Sequence, residues 1–420
     1  MTPRQQRLLN LVLALYALLT FARAVSNVAQ PYGAGDLYVY WYAGHFMREQ
    51  RNPYLAYLND DVPSVPVAYL DGATFTKLPE PWIVPFSPVT NTSPYVLLLS
   101  LLANVNWYIA KWSFFIINLI LAVSIPAIAF KTFHIDWPFP DKITTHLLFF
   151  ATIGSRTTLV NSQNSLLFLL IMLLTFAVFT STHHAPRTTQ PWLIAILFGL
   201  TLSKISLAIS LCILLVLLRR WFPLIIAALV QLIGLLMLGL WTQSSPLDTL
   251  NAHWQIFNSV AAFDGIHLAH LIPSATPFIL IGTIALFAWL FWLAFQNRLQ
   301  QPIHILQITL CILAVWSLLF AYHGPYDAVL LLPVYLILLN QLRHHDWPLT
   351  RKQTQIVYVF LSIGCIILLL PGNIDFLNYL STPSWWPHLL PKLIAAHMFA
   401  LLTFLILLLQ KSLRPLRFSQ

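Results

Sequence analysis

Eight stretches of this chain are long and apolar enough to cross a bilayer, and nothing else in the sequence narrows its possible folds as much. A span needs about 20 mostly apolar residues. Runs of that kind occupy residues 8–28, 107–130, 162–181, 222–243, 275–296, 303–321, 354–371 and 391–411. Of the 420 residues, 58% are hydrophobic and 8% charged, more apolar surface than a water-soluble interior can hide. The expected fold class is an all-α polytopic membrane protein.

Shorter or broken apolar pieces lie between these runs, at 93–104, 143–155, 190–218 with an interruption at Ser203-Lys204, and 325–341 directly after His323-Gly324-Pro325. Interrupted helices persist in a bilayer only where their backbone is buried in protein or lines a wet cavity. The expectation is a bundle of about ten to thirteen spans around such a cavity. With no linker, low-complexity tract or repeat, residues 1–420 read as one domain, and 29–92 is its largest excursion. Arg4, Arg7 and Ala22-Arg23-Ala24 imitate a cleavable secretory signal, but the first helix is read as a retained anchor. Cys212, Cys311 and Cys365 fall inside apolar runs as small buried hydrophobes.

The formal charge of +9 is explained by orientation and needs no nucleic-acid partner, because basic residues gather in cytoplasmic loops. An N-terminus on the cytoplasmic side places Arg4, Arg7, Lys131, Lys142, Arg187, Arg219, Arg220, Arg298, Arg343, Arg351, Lys352, Lys411, Arg414 and Arg417 there too. Residues 29–92, 245–273 and 372–390 then lie outside, with the turns around Arg156, Lys204 and His323. Only Asp136, Asp141 and Asp346 among the acids fall in cytoplasmic connections, so acid-dependent chemistry belongs on the outer side. The expected location is a cell (inner) membrane, with the site facing outward.

Asp36 is the most informative acid. It follows the first apolar run in GAGDLYVYWYAGHFMREQRNPY, residues 33–54, where a carboxylate beside hydrocarbon needs a structural or chemical reason. It can N-cap an interfacial helix running to Arg51 and stopped at Asn52-Pro53. It can also be a general base, shielded by Tyr38, Tyr40, Trp41 and Tyr42. Three cations are candidates for stabilising a departing anion. Arg156 sits in the donor-rich stretch with Thr157, Thr158, Asn161, Gln163 and Asn164, or is an interfacial anchor. Lys204 interrupts an apolar run, or marks a surface helix break. His323 lies in YHGPYD with Tyr322, Tyr326 and Asp327, where Asp327 orients the histidine or caps the next helix. Asp264, His267 and His270 share a helical face, but a lone His-x-x-His is weak evidence for zinc. His183-His184 and His344-His345 read as interfacial pairs. The Asn91-Thr92-Ser93 sequon is a short match followed by Pro94.

GDLYVYWYAGHFMREQRNPY resembles the first outer loop of the GT-C superfamily of polyprenyl-phosphate-sugar-dependent glycosyltransferases, particularly glycosyltransferase family 87. Its acid, its aromatic helix with the Ala43-Gly44 step and its Pro53-Tyr54 pair carry the likeness. SRTTLVNSQNSLLFLLIMLL is similar to the family's polar turn before a long helix, LFGLTLSKISLAISLCILL to its lysine-containing break, and AYHGPYDAVLLLP to its late Tyr-Asp step. The likeness runs in order to about residue 340. The chain departs from the pattern at Ser162, where a glycine is expected, and at Ser206, where a proline commonly follows the lysine step.

The resemblance implies a GT-C-like bundle that passes a sugar, mannose by family likeness, from a polyprenyl-phosphate donor to an acceptor hydroxyl of a glycolipid or glycan, with inversion. Asp36 is the implied base. Lys204, Arg156, His323, Gln163, Asn164, Tyr322 and Asp327 are candidates on the donor side, and Tyr40, Trp41 and His45 on the acceptor side. No cofactor or metal is expected. Nucleotide-sugar enzymes hold a diphosphate through metal and clustered carboxylates, and the cytoplasmic candidates here are only Asp136 and Asp141. A transporter or flippase of a lipid-linked or amphipathic solute also uses broken helices and intramembrane charge, and a non-catalytic scaffold is the third reading.

Overall fold

The computed structural model describes residues 2–30, 33–59, 91–180, 190–261, 276–296, 298–299, 303–320, 325–344, 349–370 and 386–413. Every regular element among them is helical. The chain opens with α1 (Pro3–Ala29), followed by α2 (Gly35–Arg48), α3 (Pro53–Leu58) and α4 (Ser93–Ser100), which runs into a 3-10 turn at Leu101–Asn104. Next come α5 (Trp107–Thr132), α6 (Phe139–Ala151), α7 (Ile153–Asn161), α8 (Ser165–Thr180) and α9 (Gln190–Thr201). A 3-10 turn at Leu202–Lys204 leads into α10 (Ile205–Leu217), then α11 (Trp221–Trp241) and α12 (Pro246–Ala261). The last part comprises α13 (Thr276–Phe295), α14 (Ile303–Phe320), a 3-10 segment at Pro325–Leu330, α15 (Leu331–His344), α16 (Arg351–Leu369) and α17 (Trp386–Ser412).

Eight helical segments are long and apolar enough to cross a membrane: α1, α5, α11, α13, α14, Tyr326–His344, α16 and the Lys392–Ser412 part of α17. Ser93–Asn104, Ser165–Phe179, Pro191–Lys204 and Leu207–Leu217 are apolar but shorter. The expected run at 162–181 is one of the short ones, because Ser162 adopts φ 52 and separates α7 from α8. The expected short piece at 325–341 reaches span length instead, since its 3-10 turn continues into α15 without a break.

Burial sorts the spans. α14 is buried along almost its whole length, between α10 and α17. α1, α11, α13 and α16 instead expose broad leucine and isoleucine faces, such as Leu8, Leu11 and Leu15 on α1 and Ile225, Leu229 and Leu232 on α11. Lipid is the only solvent in which that distribution is favourable. Sequence-local caps define the ends. Thr2 with Gln5 and Thr350 with Gln353 form capping boxes on α1 and α16, and Asn106 caps α5 by accepting from Ile109 N at 2.8 Å.

The first excursion differs in two respects from its sequence reading. Asn52-Pro53 begins a helix: the Asn52 side chain accepts from Tyr54 N at 3.0 Å, with Pro53 in the first turn of α3. α2 has already ended at Arg48. Nor is α2 a superficial amphipathic helix, for Leu37, Trp41, Ala43, Gly44, His45, Phe46 and Met47 are all buried. A Cβ on Gly44 would lie 2.6 Å from Ala103 Cβ and 2.7 Å from Ser100 O, so only glycine lets α2 sit this close to α4 and its 3-10 extension. Residues 60–90, including the proline-rich part of the excursion, lie outside the described residues.

Candidate functional site

Three helix interruptions and one helix start build the site. Ser162, Gln163 and Asn164 form the turn from α7 to α8, and Asn118 Nδ2 holds it by donating to Gln163 O at 2.9 Å. Lys204 closes the 3-10 turn between α9 and α10, where Ser203 O accepts from Thr92 N and the Ser203 and Thr92 hydroxyls hydrogen-bond at 3.0 Å, tying the break to the start of α4. Asp327 lies in the 3-10 segment Pro325–Leu330, and Asp36 in the first turn of α2. α7 and the Pro325–Leu330 segment approach closely at Gly154, where a Cβ would stand 2.6 Å from Val329 N.

These interruptions bring together acids and a base that are far apart in sequence. Lys204 Nζ is 2.6 Å from Asp327 Oδ1 and donates to Ser165 Oγ at 3.2 Å, while Ser165 Oγ donates to the same Asp327 oxygen at 2.8 Å. The Lys204 ammonium also sits 4.0 Å from the centre of the Tyr326 ring. Asp36 lies within electrostatic range of both Lys204 and Asp327, with the Gln163 and Asn161 side chains beside its carboxylate. Its Oδ2 is nevertheless buried with no hydrogen-bond partner among the described residues. The Tyr95 hydroxyl lies beside the Asn164 amide, and neither it nor the amide's Nδ2 and Oδ1 makes a well-formed hydrogen bond among the described residues. Tyr40 packs edge-on against Tyr95 at 5.4 Å, which places it over the same cluster.

Burial pushes the Asp36 carboxyl up from 3.8 to about 6, and the hydrogen bond from Gln163 and the positive charge of Lys204 partly oppose that rise. At neutral pH the group is therefore mostly an anion, yet it holds a proton far better than an exposed aspartate. This is the behaviour expected of a general base. Burial raises the Tyr40 phenol well above its usual value, and the nearby Tyr95 and Asp36 add to the effect, so Tyr40 stays neutral. The capping role open to Asp36 is not realised: the N-cap of α2 is Ala34, at φ 64, with no side-chain cap. Asp36 instead benefits from the positive end of the helix.

Other sequence candidates lie elsewhere. Arg156 is not at an outer helix end. It occupies the second turn of α7, donates to the Tyr16 hydroxyl and to Leu370 O, and thereby ties α1 to the end of α16. The neighbouring Thr157 and Thr158 hydroxyls bond back to the carbonyls of Ile153 and Gly154, so that stretch is less donor-rich than it reads. Trp41 is wholly buried, donates to Val105 O at 3.0 Å and packs on Trp107 and His45, so it serves as core. His45, almost fully covered beside it, is held neutral by burial, its value lowered to about 4. The sequon is structural: Asn91 is buried and its carbonyl accepts from Tyr54 Oη at 2.5 Å, while Thr92 Oγ1 donates to Gln231. Tyr322, His323, Asp264, His267, His270, His183 and His184 fall outside the described residues.

Sequence reasoning missed Ser165, Asn161 as a partner of Asp36, and Tyr95. Nothing in local spacing links Tyr95 to Asp36; the signal available was only its place at the head of a short apolar helix. Among the described residues no group of three or more His, Cys, Asp or Glu is arranged to hold a metal ion. Asp141 is committed to Arg343 at 2.6 Å and to Gln6, and Asp136 pairs with Lys142 at 3.4 Å. No family model, curated protein or solved structure matches this chain.

Proposed function

We propose that the chain is a membrane glycosyltransferase that moves a sugar, mannose by family resemblance, from a polyprenyl-phosphate donor to an acceptor hydroxyl, with Asp36 as the base. The observation that carries this reading is the half-buried Asp36 carboxylate, ionised but with its proton affinity raised, facing a Lys204–Asp327 pair at the meeting point of three helix breaks. Ionisable groups gathered at this depth are costly, which favours a functional site over a scaffold.

In the reaction, the acceptor hydroxyl gives its proton to Asp36 as its oxygen forms a bond to the anomeric carbon. The bond from that carbon to the phosphate oxygen breaks on the opposite face, and the electron pair leaves with the lipid phosphate, inverting the centre. Gln163 and Asn161 aim the carboxylate. Lys204 uses two of its three N–H groups on Asp327 and Ser165, leaving one for a ligand oxygen. Its charge is thus fixed before the donor arrives, the condition under which electrostatic stabilisation is most effective. The Asn164 amide and the Tyr95 hydroxyl, buried and without well-formed bonds, offer donors and an acceptor to sugar hydroxyls. A narrow apolar groove of about 80 Å³ between α6, α15 and α16 reaches Ala328, next to Asp327.

Purified protein reconstituted in liposomes with radiolabelled polyprenyl-phosphate mannose and a lipid-extract acceptor tests the reading. The expected result is label in a new glycosidic product, lost in Asp36→Asn. Label that changes leaflet without changing covalent partner supports a flippase instead, and normal function of Asp36→Asn in cells supports a scaffold.

A further inference from the structure

At the opposite end of the bundle from Asp36, a cleft of about 490 Å³ opens between the end of α5 and the start of α6, lined by Phe130, Lys131, His134, Asp136, Lys142 and His146. This is the end where α1 begins, since Gln6 and Asn10 of α1 bond to Asp141 and Thr144 of α6. Lys142 and His146 are one helical turn apart, and His146 Nδ1 bonds to Lys142 O at 2.7 Å, which directs the other ring nitrogen away from the backbone. Lys131 and His134 lie on the last turn of α5 and just beyond it, and both are exposed. Among the described residues the only acid lining the cleft is Asp136, fully exposed and held by Lys142 at a loose 3.4 Å.

The cleft also continues an apolar path. Ile116, Ile120 and Val123 are each more than half exposed on α5, and Ala127 follows them on the same face before Lys131 and His134. Spacings of three and four residues make this one unbroken stripe from mid-helix to the basic cleft. A molecule matching both parts carries a hydrocarbon chain and an anionic head.

We infer that this cleft binds the phosphate headgroup of an anionic lipid, whose acyl chain lies along the α5 stripe and whose phosphate meets Lys131 and Lys142. Asp136 competes with the phosphate for Lys142. The inference is independent of the glycosyltransferase reading, because it uses none of its residues.

Native mass spectrometry of the full-length protein released from detergent with dioleoyl phosphatidylglycerol, with dioleoyl phosphatidylcholine, or with inorganic phosphate tests it. The wild type is expected to retain phosphatidylglycerol in preference to phosphatidylcholine. Lys131→Ala with Lys142→Ala is expected to weaken that retention by on the order of tenfold or more, from the usual contribution of a basic residue facing an anionic headgroup. Asp136→Asn, at a fully exposed site, is expected to strengthen it. An unchanged lipid preference in both variants overturns the proposal. So does displacement of the lipid by millimolar inorganic phosphate, which would make the cleft a site for small anions.

Discussion

Under the proposed reaction Asp36 meets two opposed demands: burial favours its neutral form and catalysis needs the anion. With the carboxyl at about 6, transfer by the wild type is expected to fall roughly tenfold per pH unit below that value and to level off above it, as a rate profile will show. Stability runs the other way. The folded group binds its proton more tightly than the unfolded chain, at about 6 against 3.8, so the folded state loses stability as pH rises between these values and carries the full penalty above them. Asp36→Asn removes that penalty. It should melt higher than wild type at pH 7 and no higher near pH 4, while activity falls by a factor of roughly 10² to 10⁴. A variant that melts lower at pH 7 would mean the carboxylate is there for structure. The Lys204–Asp327 pair gives the complementary case. Lys204→Met takes the opposite charge away from the buried Asp327, and is expected to lose about 3–5 kcal/mol. Lys204→Met combined with Asp327→Leu should regain most of that stability and none of the activity, as thermal melts and transfer assays on the same samples will show. Asp36, Lys204 and Asp327 stood out in the sequence because each interrupts apolar surroundings. Their mutual pairing did not, since it is set by contacts more than 100 residues apart in the chain. Arg156 stood out for the same reason, yet it ties helices together, and charge in an apolar run does not distinguish the two roles.

The helices themselves were legible wherever hydrophobic length decides them, and each of the eight long runs has a helix over it. The break at Ser203-Lys204 was legible too, as polar residues inside an otherwise continuous run. Less legible was the direction in which a local signal acts. Asn52-Pro53 serves equally to end one helix or to begin the next, and only the Asn52 side chain bonding forward to Tyr54 N and Leu55 N decides it. Trp41 and His45 share the aromatic helix with Asp36 but turn toward Trp107 and Val105, because a helix presents residues five and nine positions on to a different neighbour. Close approaches are invisible to periodicity, and Gly154 is the one on which the site depends. Gly154→Ala places a methyl 2.6 Å from the backbone nitrogen of Val329, so α7, which leads into Gln163, must move away from the segment carrying Asp327. The expected result is a loss of about 1–3 kcal/mol from overpacking together with reduced transfer. Gly282→Ala, where nothing lies within 4 Å of the added methyl, should leave both unchanged. Equal effects at the two positions would show that the helix contact is not what positions the site.

The two ends of the bundle differ in charge, and the helix directions show it without any membrane being present. α1 begins at the end where Asp141 of α6 meets Gln6 of α1 and Arg343 of α15. Lys131 and Lys142 lie at that end as well. Lys352 joins them, because α16 starts only a short stretch of chain after α15 ends at that face, where Arg343 meets Asp141. At the other end lie α2, the 3-10 turn Leu101–Asn104 and the last residue of α11, whose Trp241 indole donates to Met47 O at 2.6 Å. The usual bias of basic residues predicts that the first end is cytoplasmic, and with it that Asp36 faces outward. That orientation can be read from single cysteines. Cys212, Cys311 and Cys365 lie in apolar helices, buried or half-buried, and form no disulfide among the described residues, so maleimide should find little background. A membrane-impermeant maleimide added to intact cells is expected to label Asn104→Cys, at the exposed end of its 3-10 turn. Gln5→Cys and Lys352→Cys, both exposed, should react only once the membrane is opened. The reverse pattern would put Asp36 on the side where nucleotide sugars are made, removing the reason for a polyprenyl-phosphate donor and with it the proposed reaction.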